Sequence, residues 1–213
     1  MTSRCATVST LHSSVPRPRN HSSLDQARAP WLLYVDGTIL TVRGAIPQDL
    51  PGVALMHSRC SAKSLLDRYR AGGRPPAVLI LDRHVREPLS FVVTTDDGRV
   101  VAMSLVSPDS AHAIGSGEIA MIVEDSWQAL GIGTALLRHT SAAALICGYR
   151  QLISYPGTTA ATIQRLMQGV GTTRLMPDAE RHLHTALPET ARFGLGSAGR
   201  NAAVVRRSGA ALG

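Results

Sequence analysis

The chain has 213 residues, 44% of them hydrophobic and only 4% aromatic, which predicts one domain with a Leu-, Val-, Ile- and Ala-built core and excludes disorder throughout. Its formal net charge of +7 is almost all arginine, Lys63 being the single lysine; it suits a phosphate-rich ligand, but with no basic run interleaved with aromatics nucleic acid is not favoured as a partner. With no apolar run near the roughly 18 residues that span a bilayer and no hydrophobic signal core, the expectation is a cytoplasmic protein without a membrane partner.

Residues 1–30 are rich in Ser, Arg and Pro and show no period, so they read as a flexible tail, with order beginning at Trp31. In WLLYVDGTILTV the pair Asp36-Gly37 separates two apolar runs, a hairpin signal. Asp49 is positioned to cap a short helix with Pro51 in its first turn. Ser61 or Ser64 would cap a second helix, closed by Gly72-Gly73, and Pro75-Pro76 punctuate a connection. LSFVVTT (89–95) and RVVAMSLV (99–106) read as strands joined through Asp97-Gly98. A Ser-, Gly- and Ala-rich loop then leads to a strand in GEIAMIVED. Next, Ile132, Leu136, His139, Ala143 and Ile146 recur at helical spacing, and Gly148 ends that helix. A short strand (150–156), a helix (158–171) and two short strands around 172–187 follow. The Gly-, Ala- and Arg-rich segment 191–213 reads as a second tail, leaving a domain over 31–190. This order predicts a mixed α/β layer, a sheet covered by helices.

The chemically informative stretch is Gln128-Ala129-Leu130-Gly131-Ile132-Gly133-Thr134, between a predicted strand and a predicted helix. The glycines let a ligand approach the backbone, and the free N–H groups and positive end of the helix dipole suit a phosphate or pyrophosphate. A dinucleotide fingerprint would need a third glycine, and Ala135 and Leu136 follow instead. A nucleotide P-loop would need a lysine, and none is there. Two glycines alone leave open the bland alternative of an ordinary helix start.

The wider segment Glu118–Leu137, EIAMIVEDSWQALGIGTALL, resembles the acetyl-CoA motif of the GNAT superfamily of N-acetyltransferases. That motif is Gln or Arg, two residues, Gly, any residue, then Gly or Ala, after a strand; Gln128, Gly131 and Gly133 satisfy it. The acidic residue upstream, and the hairpin followed by TVRGAIPQDL, look like the branch of bacterial protein lysine acetyltransferases. The resemblance covers about 31–175. It implies a twisted, mostly antiparallel mixed sheet with helices on both faces, whose fourth and fifth strands splay into a V. Pantetheine of acetyl-CoA would lie there along Met121, Ile122 and Val123, with pyrophosphate on the N–H groups from Gln128 to Thr134.

The resemblance makes Glu118 the general base that relieves an attacking amine of its proton. A solvated, idle glutamate is the alternative. Glu124 and Asp125, beside the phosphate loop, read as turn or cap residues. The last helix lacks the family's frequent tyrosine, for which Tyr149 and Tyr155, flanking the fifth strand, are the candidate substitutes, and Ala160 or a neighbouring threonine stands where the family often has asparagine. Cys5, Cys60 and Cys147 have no paired spacing, so neither a disulfide framework nor a zinc set is expected. His182 and His184 share a strand face but have no further ligand near them in sequence, so no metal is expected. His57 and Cys60, three apart on a helix, lack an orienting acid and make a weak nucleophile pair. The function expected is transfer of acetyl to a primary amine, of a small molecule or a protein lysine. The alternative is a catalytically weak acyl-CoA-binding regulatory module. An exposed sheet edge offers a route to a homodimer.

Overall fold

The computed structural model describes residues 21–70, 73–109, 111–156, 160–176, 182–188 and 203–205. Among the described residues nine strands form one sheet: β1 (Trp31–Val35), β2 (Thr38–Gly44), β3 (Leu89–Thr94), β4 (Val100–Pro108), β5 (Ser116–Val123), β6 (Gln151–Ser154), β7 (Thr172–Met176), β8 (His182–Ala186) and β9 (Ala203–Val205). Their order is β7-β8-β6-β5-β4-β3-β2-β1-β9, and only the β5–β6 and β1–β9 pairs are parallel. The β1–β2 hairpin closes through Asp36 (φ 48°) and Gly37 (φ 83°), the doubly left-handed turn that matches strand twist.

Helices α2 (Leu50–Arg59), α3 (Ala62–Tyr69) and α4 (Val78–Arg86) cover one face, and α1 (His21–Arg28), α5 (Ile132–Ile146) and α6 (Ala160–Gln168) the other. Because β3 and β4 are covered on both sides, they read as continuous apolar runs rather than alternating ones. Leu33, Leu40, Phe91, Leu136 and Leu152 form one core; Val53, Met56, Leu65, Leu81 and Val92 form the other. Each such side chain contributes about 1.5–3 kcal/mol of burial.

Packing begins before Trp31, which corrects the reading as tail for residues 21–30. Ala27 of α1 is fully buried, and its carbonyl accepts from His139 Nε2 at 2.9 Å. Arg28 donates to the carbonyls of Pro88 and Ala45. His139 is therefore a buried anchor, edge-on to Phe91. The C-terminal segment also supplies β9, parallel to β1. Helix α4 is new relative to the sequence reading, which saw only a connection there; Leu81 and Val85 face the core. Ser61 caps α3 by accepting from Ser64 N–H at 3.2 Å, whereas Asp49 makes no side-chain cap and instead holds Arg43 in a two-pronged ion pair at 2.7 Å. Residues 1–20 and the expected helix stop at Gly72 lie outside the described residues. No helix of the described residues is long and apolar enough to cross a membrane.

Candidate active site

The site begins where two strands part. β5 pairs with β4 from Gly117 to Val123, yet with β6 only through Ser116, Gly117 and Glu118. From Ile119 onward the β6-facing edge of β5 has no strand partner, which is the expected V; the expected fourth and fifth strands are β5 and β6 in chain order. A cavity of about 850 Å³ fills the opening, between the end of α3, the loop after β5, the start of α5, and α6.

The loop's shape follows from three backbone choices. A single 3₁₀ turn covers Asp125–Trp127, Ala129 adopts φ 58°, and Gly131 adopts φ 80° as the residue before α5. The N–H groups of the first turn of α5, at Ile132, Gly133 and Thr134, have no intrahelical acceptor, and Gly131 before them has no side chain to accept from them. A Cβ on Gly133 would meet the protein only at ordinary distances, 3.5 Å from Met121 Cε. Neighbouring protein atoms do not require glycine there; the bare backbone faces the cavity.

The loop is tied down from two sides. Gln128 Nε2 donates to Val123 O at 2.9 Å and to Ser64 Oγ at 3.0 Å, so this side chain positions the loop. Asp125 accepts from Ser61 N–H, Ser61 Oγ and Ser64 Oγ, binding the loop to α3. Glu124 is buried and accepts from Arg59 at 2.9 Å and from Arg99, an ion-pair centre rather than a group facing the cavity. Glu118, Met121, Ile122, Val123, Gln128, Ala129 and Gly133 all line the cavity. Leu130 packs against the core, Ile132 is buried, and Gly131 and Thr134 shape the helix start.

Glu118 stands at the fork of the V and lines a second cavity of about 580 Å³, which Arg83 and Glu87 of the α4 region also line. Burial raises its carboxyl pKa, the Asp109 charge adds to the rise, and Arg68 and Arg70 oppose it. Around it the fold assembles side chains that sequence spacing did not connect. Arg68 lies 4.6 Å from the Tyr69 ring centre, and burial lowers the pKa of its guanidinium. Tyr69 OH and His57 Nε2 lie 2.6 Å apart, and His57 Nδ1 is 2.7 Å from Val53 O. His84 stacks on Tyr69, and burial with Arg68 nearby pushes its pKa down to about 4, so it is neutral at pH 7. These groups come from α2, α3 and α4, more than 30 residues before Glu118, and only the fold could associate them with it.

The weaker expectations separate clearly. His57 faces Tyr69, while Cys60 donates to Met56 O and burial pushes its thiol pKa up to about 11, so the two make no nucleophile pair. Tyr149 is buried with its phenol pushed up to about 12, whereas Tyr155 lines the cavity. The expected asparagine replacement is Ala160 or a neighbouring threonine; Ala160 begins α6, and Thr158 and Thr159 lie outside the described residues.

Residues 60–162 match the acetyltransferase (GNAT) family. The fold is similar to the GNAT domain of S. lividans PAT, at 20% identity and TM-score 0.64, covering 74% of this chain and 97% of that one. It is also similar to a GNAT superfamily phosphinothricin acetyltransferase from Sinorhizobium meliloti, solved with AcCoA, at 19% identity and TM-score 0.56 over 70% of this chain and 89% of that one. A cAMP-binding acyltransferase from Mycobacterium smegmatis gives 18% identity and TM-score 0.52, with 81% of this chain covering 52% of that one. Among curated proteins none matches. Family match, splayed sheet and glycine loop agree: residues 60–162 match the acetyltransferase (GNAT) family, and the chain has the fold of the GNAT acetyltransferases it resembles.

Proposed function

We propose that the protein is an N-acetyltransferase that moves acetyl from acetyl-CoA to a primary amine, with Glu118 as general base. The observation that carries this reading is the place of Glu118, at the fork between β5 and β6 and shared by both cavities. Acetyl-CoA enters by the larger cavity, with pyrophosphate at the Gln128–Thr134 loop and pantetheine along Met121, Ile122 and Val123. The amine enters by the smaller cavity, beneath α4.

Glu118 takes a proton from the amine, directly or through one water, as nitrogen attacks the thioester carbonyl. The unpartnered edge of β5 offers backbone N–H groups to the oxyanion that forms. Collapse breaks the C–S bond and releases thiolate, which at an ordinary thiol pKa near 8.5 departs without strong acid help. The raised pKa of Glu118 makes it a better proton acceptor than a solvated glutamate.

A lysine side chain is the acceptor class to test first, because the stretch from Glu118 to Leu137 resembles the protein lysine acetyltransferase branch. The absence of tyrosine from α6 supports a second reading, an acyl-CoA-binding regulatory module without transfer. Thiol release from acetyl-CoA, measured with lysine peptides and small primary amines, separates the two. Amine-dependent release supports the enzyme. Tight acetyl-CoA binding with no amine-dependent release across the panel would leave the regulatory module.

A further inference from the structure

Three imidazoles converge between β8 and the β4–β5 loop, outside the transfer chemistry. His182 and His184 lie two apart on β8 and so share a strand face. The third ligand that the sequence did not reveal comes from 70 residues earlier: His112, in the loop between β4 and β5, places its Nε2 3.2 Å from His182 Nε2. His182 Nε2 in turn lies 2.8 Å from His184 Nε2. All three ligand nitrogens lie within 4.8 Å of one another.

Protons alone satisfy such an arrangement poorly. A neutral imidazole carries one N–H, and here the same nitrogen of each ring is turned toward a common point. A tetrahedral zinc ion, about 2.0–2.1 Å from each nitrogen, would hold its ligands roughly 3.3 Å apart, close to the 3.2 and 2.8 Å that separate His182 Nε2 from the other two. The supporting contact is also present. His112 Nδ1 lies 2.9 Å from Asp109 Oδ2, the carboxylate–histidine pairing that fixes the ring and leaves Nε2 free to ligate. Asp109 is itself held, its Oδ1 accepting from Ala111 N–H at 2.9 Å. His182 is only 4% exposed, so the cluster is built into the fold rather than scattered over its surface.

We propose that His112, His182 and His184 bind a zinc-class divalent cation, with Asp109 as the orienting carboxylate. The cation ties the β4–β5 loop to β8. Glu118, Ile153 and His184 lie in one row across β5, β6 and β8, which sets the site two strand spacings, about 10 Å, from the base. Tyr155, which lines the larger cavity, packs its ring 5.5 Å from that of His182. Binding here therefore steadies one wall of the site, and it requires no acetyl transfer.

The test uses the full chain without an affinity tag, stripped by chelator and then titrated with zinc chloride in a calorimeter. Cobalt(II) loading, read by visible absorption, reports the geometry independently. One cation per chain is expected, with intense ligand-field bands of a tetrahedral site. His184→Ala should abolish stoichiometric binding, and Asp109→Asn should weaken it by about 10–100-fold. Should His184→Ala fail to fold, His112→Gln, a change in a loop, carries the same expectation with a native circular dichroism spectrum as control. A wild type that takes up no zinc, or a folded His112→Gln that binds as tightly as wild type, overturns the proposal.

Discussion

Replacing Glu118 by glutamine keeps the side chain's shape and removes its capacity to accept a proton. A lysine amine of ordinary pKa, about 10.4, is neutral in about one molecule in 2,500 at pH 7, a barrier contribution of about 4.6 kcal/mol. A positioned base typically recovers about 10²–10⁴-fold, or roughly 2.7–5.5 kcal/mol, so Glu118→Gln should lower kcat/KM by that range at pH 7. The groups facing Glu118 set the pH dependence: Arg68 and Arg70 from the α3 end, His84 from α4, and Asp109 from the β4–β5 loop. Burial and Asp109 raise its pKa above the ordinary 4.5, so the carboxylate persists above that raised value and is lost as pH falls through it. Wild-type kcat/KM should show this acidic limb, steeper than free-amine titration alone. The variant should lack it, rise only as the amine deprotonates, and close part of its deficit toward pH 9. Thiol release from about pH 4.5 to 9, with acetyl-CoA affinity measured in parallel, makes the comparison. Wild-type turnover by the variant over that range, or an unchanged acidic limb, would refute the base assignment.

Three further outcomes follow from the surrounding structure. Glu124→Ala strands Arg59 and Arg99, whose side chains are 32% and 42% exposed, so it should cost about 2–3 kcal/mol in urea denaturation, below the range for a fully buried pair. An unchanged urea midpoint would show that this ion-pair centre does not hold the loop. Burial alone would raise the Asp49 pKa, but hydrogen bonds from Arg43 and Ile46 N–H outweigh it and hold the group below its ordinary 3.8. That stabilisation is present above the ordinary value and vanishes as pH falls through the lower folded one. Asp49→Asn should therefore destabilise at pH 7 and far less near about pH 2; an equal loss at both would contradict the ion-pair account. Cys60, with a thiol pKa near 11 where the ordinary value is 9.0, should alkylate about 100-fold more slowly than a free thiol at pH 8, and normally once denatured. Peptide mass spectrometry reads both, and rapid labelling of the native chain would contradict its burial.

What could be read from sequence was whatever local chemistry determines. Asp36-Gly37 specified its hairpin because both residues tolerate positive φ, and the glycine loop announced itself because Gly131 must adopt a left-handed conformation before α5. Helix α4 was missed because Val78, Leu79 and Ile80 are partly or largely exposed and break the expected apolar stripe. Helix α1 was missed because its hold on the fold comes from long-range contacts, Ala27 O to His139 and Arg28 to Pro88 O. The site divided in the same way. Gly133 and Glu118 were legible from the motif, but Arg68, Tyr69 and His84 reach Glu118 only through tertiary packing. His112 was invisible as a partner of His182 for the same reason: 70 residues separate two rings that the sheet brings together.

The most direct test of the central claim is calorimetric titration of acetyl-CoA into wild type and Gly133→Glu. The bare backbone of Gly133 faces the cavity beside Met121 and Val123, and a carboxylate placed there would occupy the anion site at the start of α5 and repel phosphate. The predicted result is saturable one-to-one binding by wild type and loss of binding, by at least about 100-fold, in a variant that keeps its thermal unfolding midpoint. A well-folded wild type that does not bind acetyl-CoA, or a variant that binds it as tightly, would contradict the account.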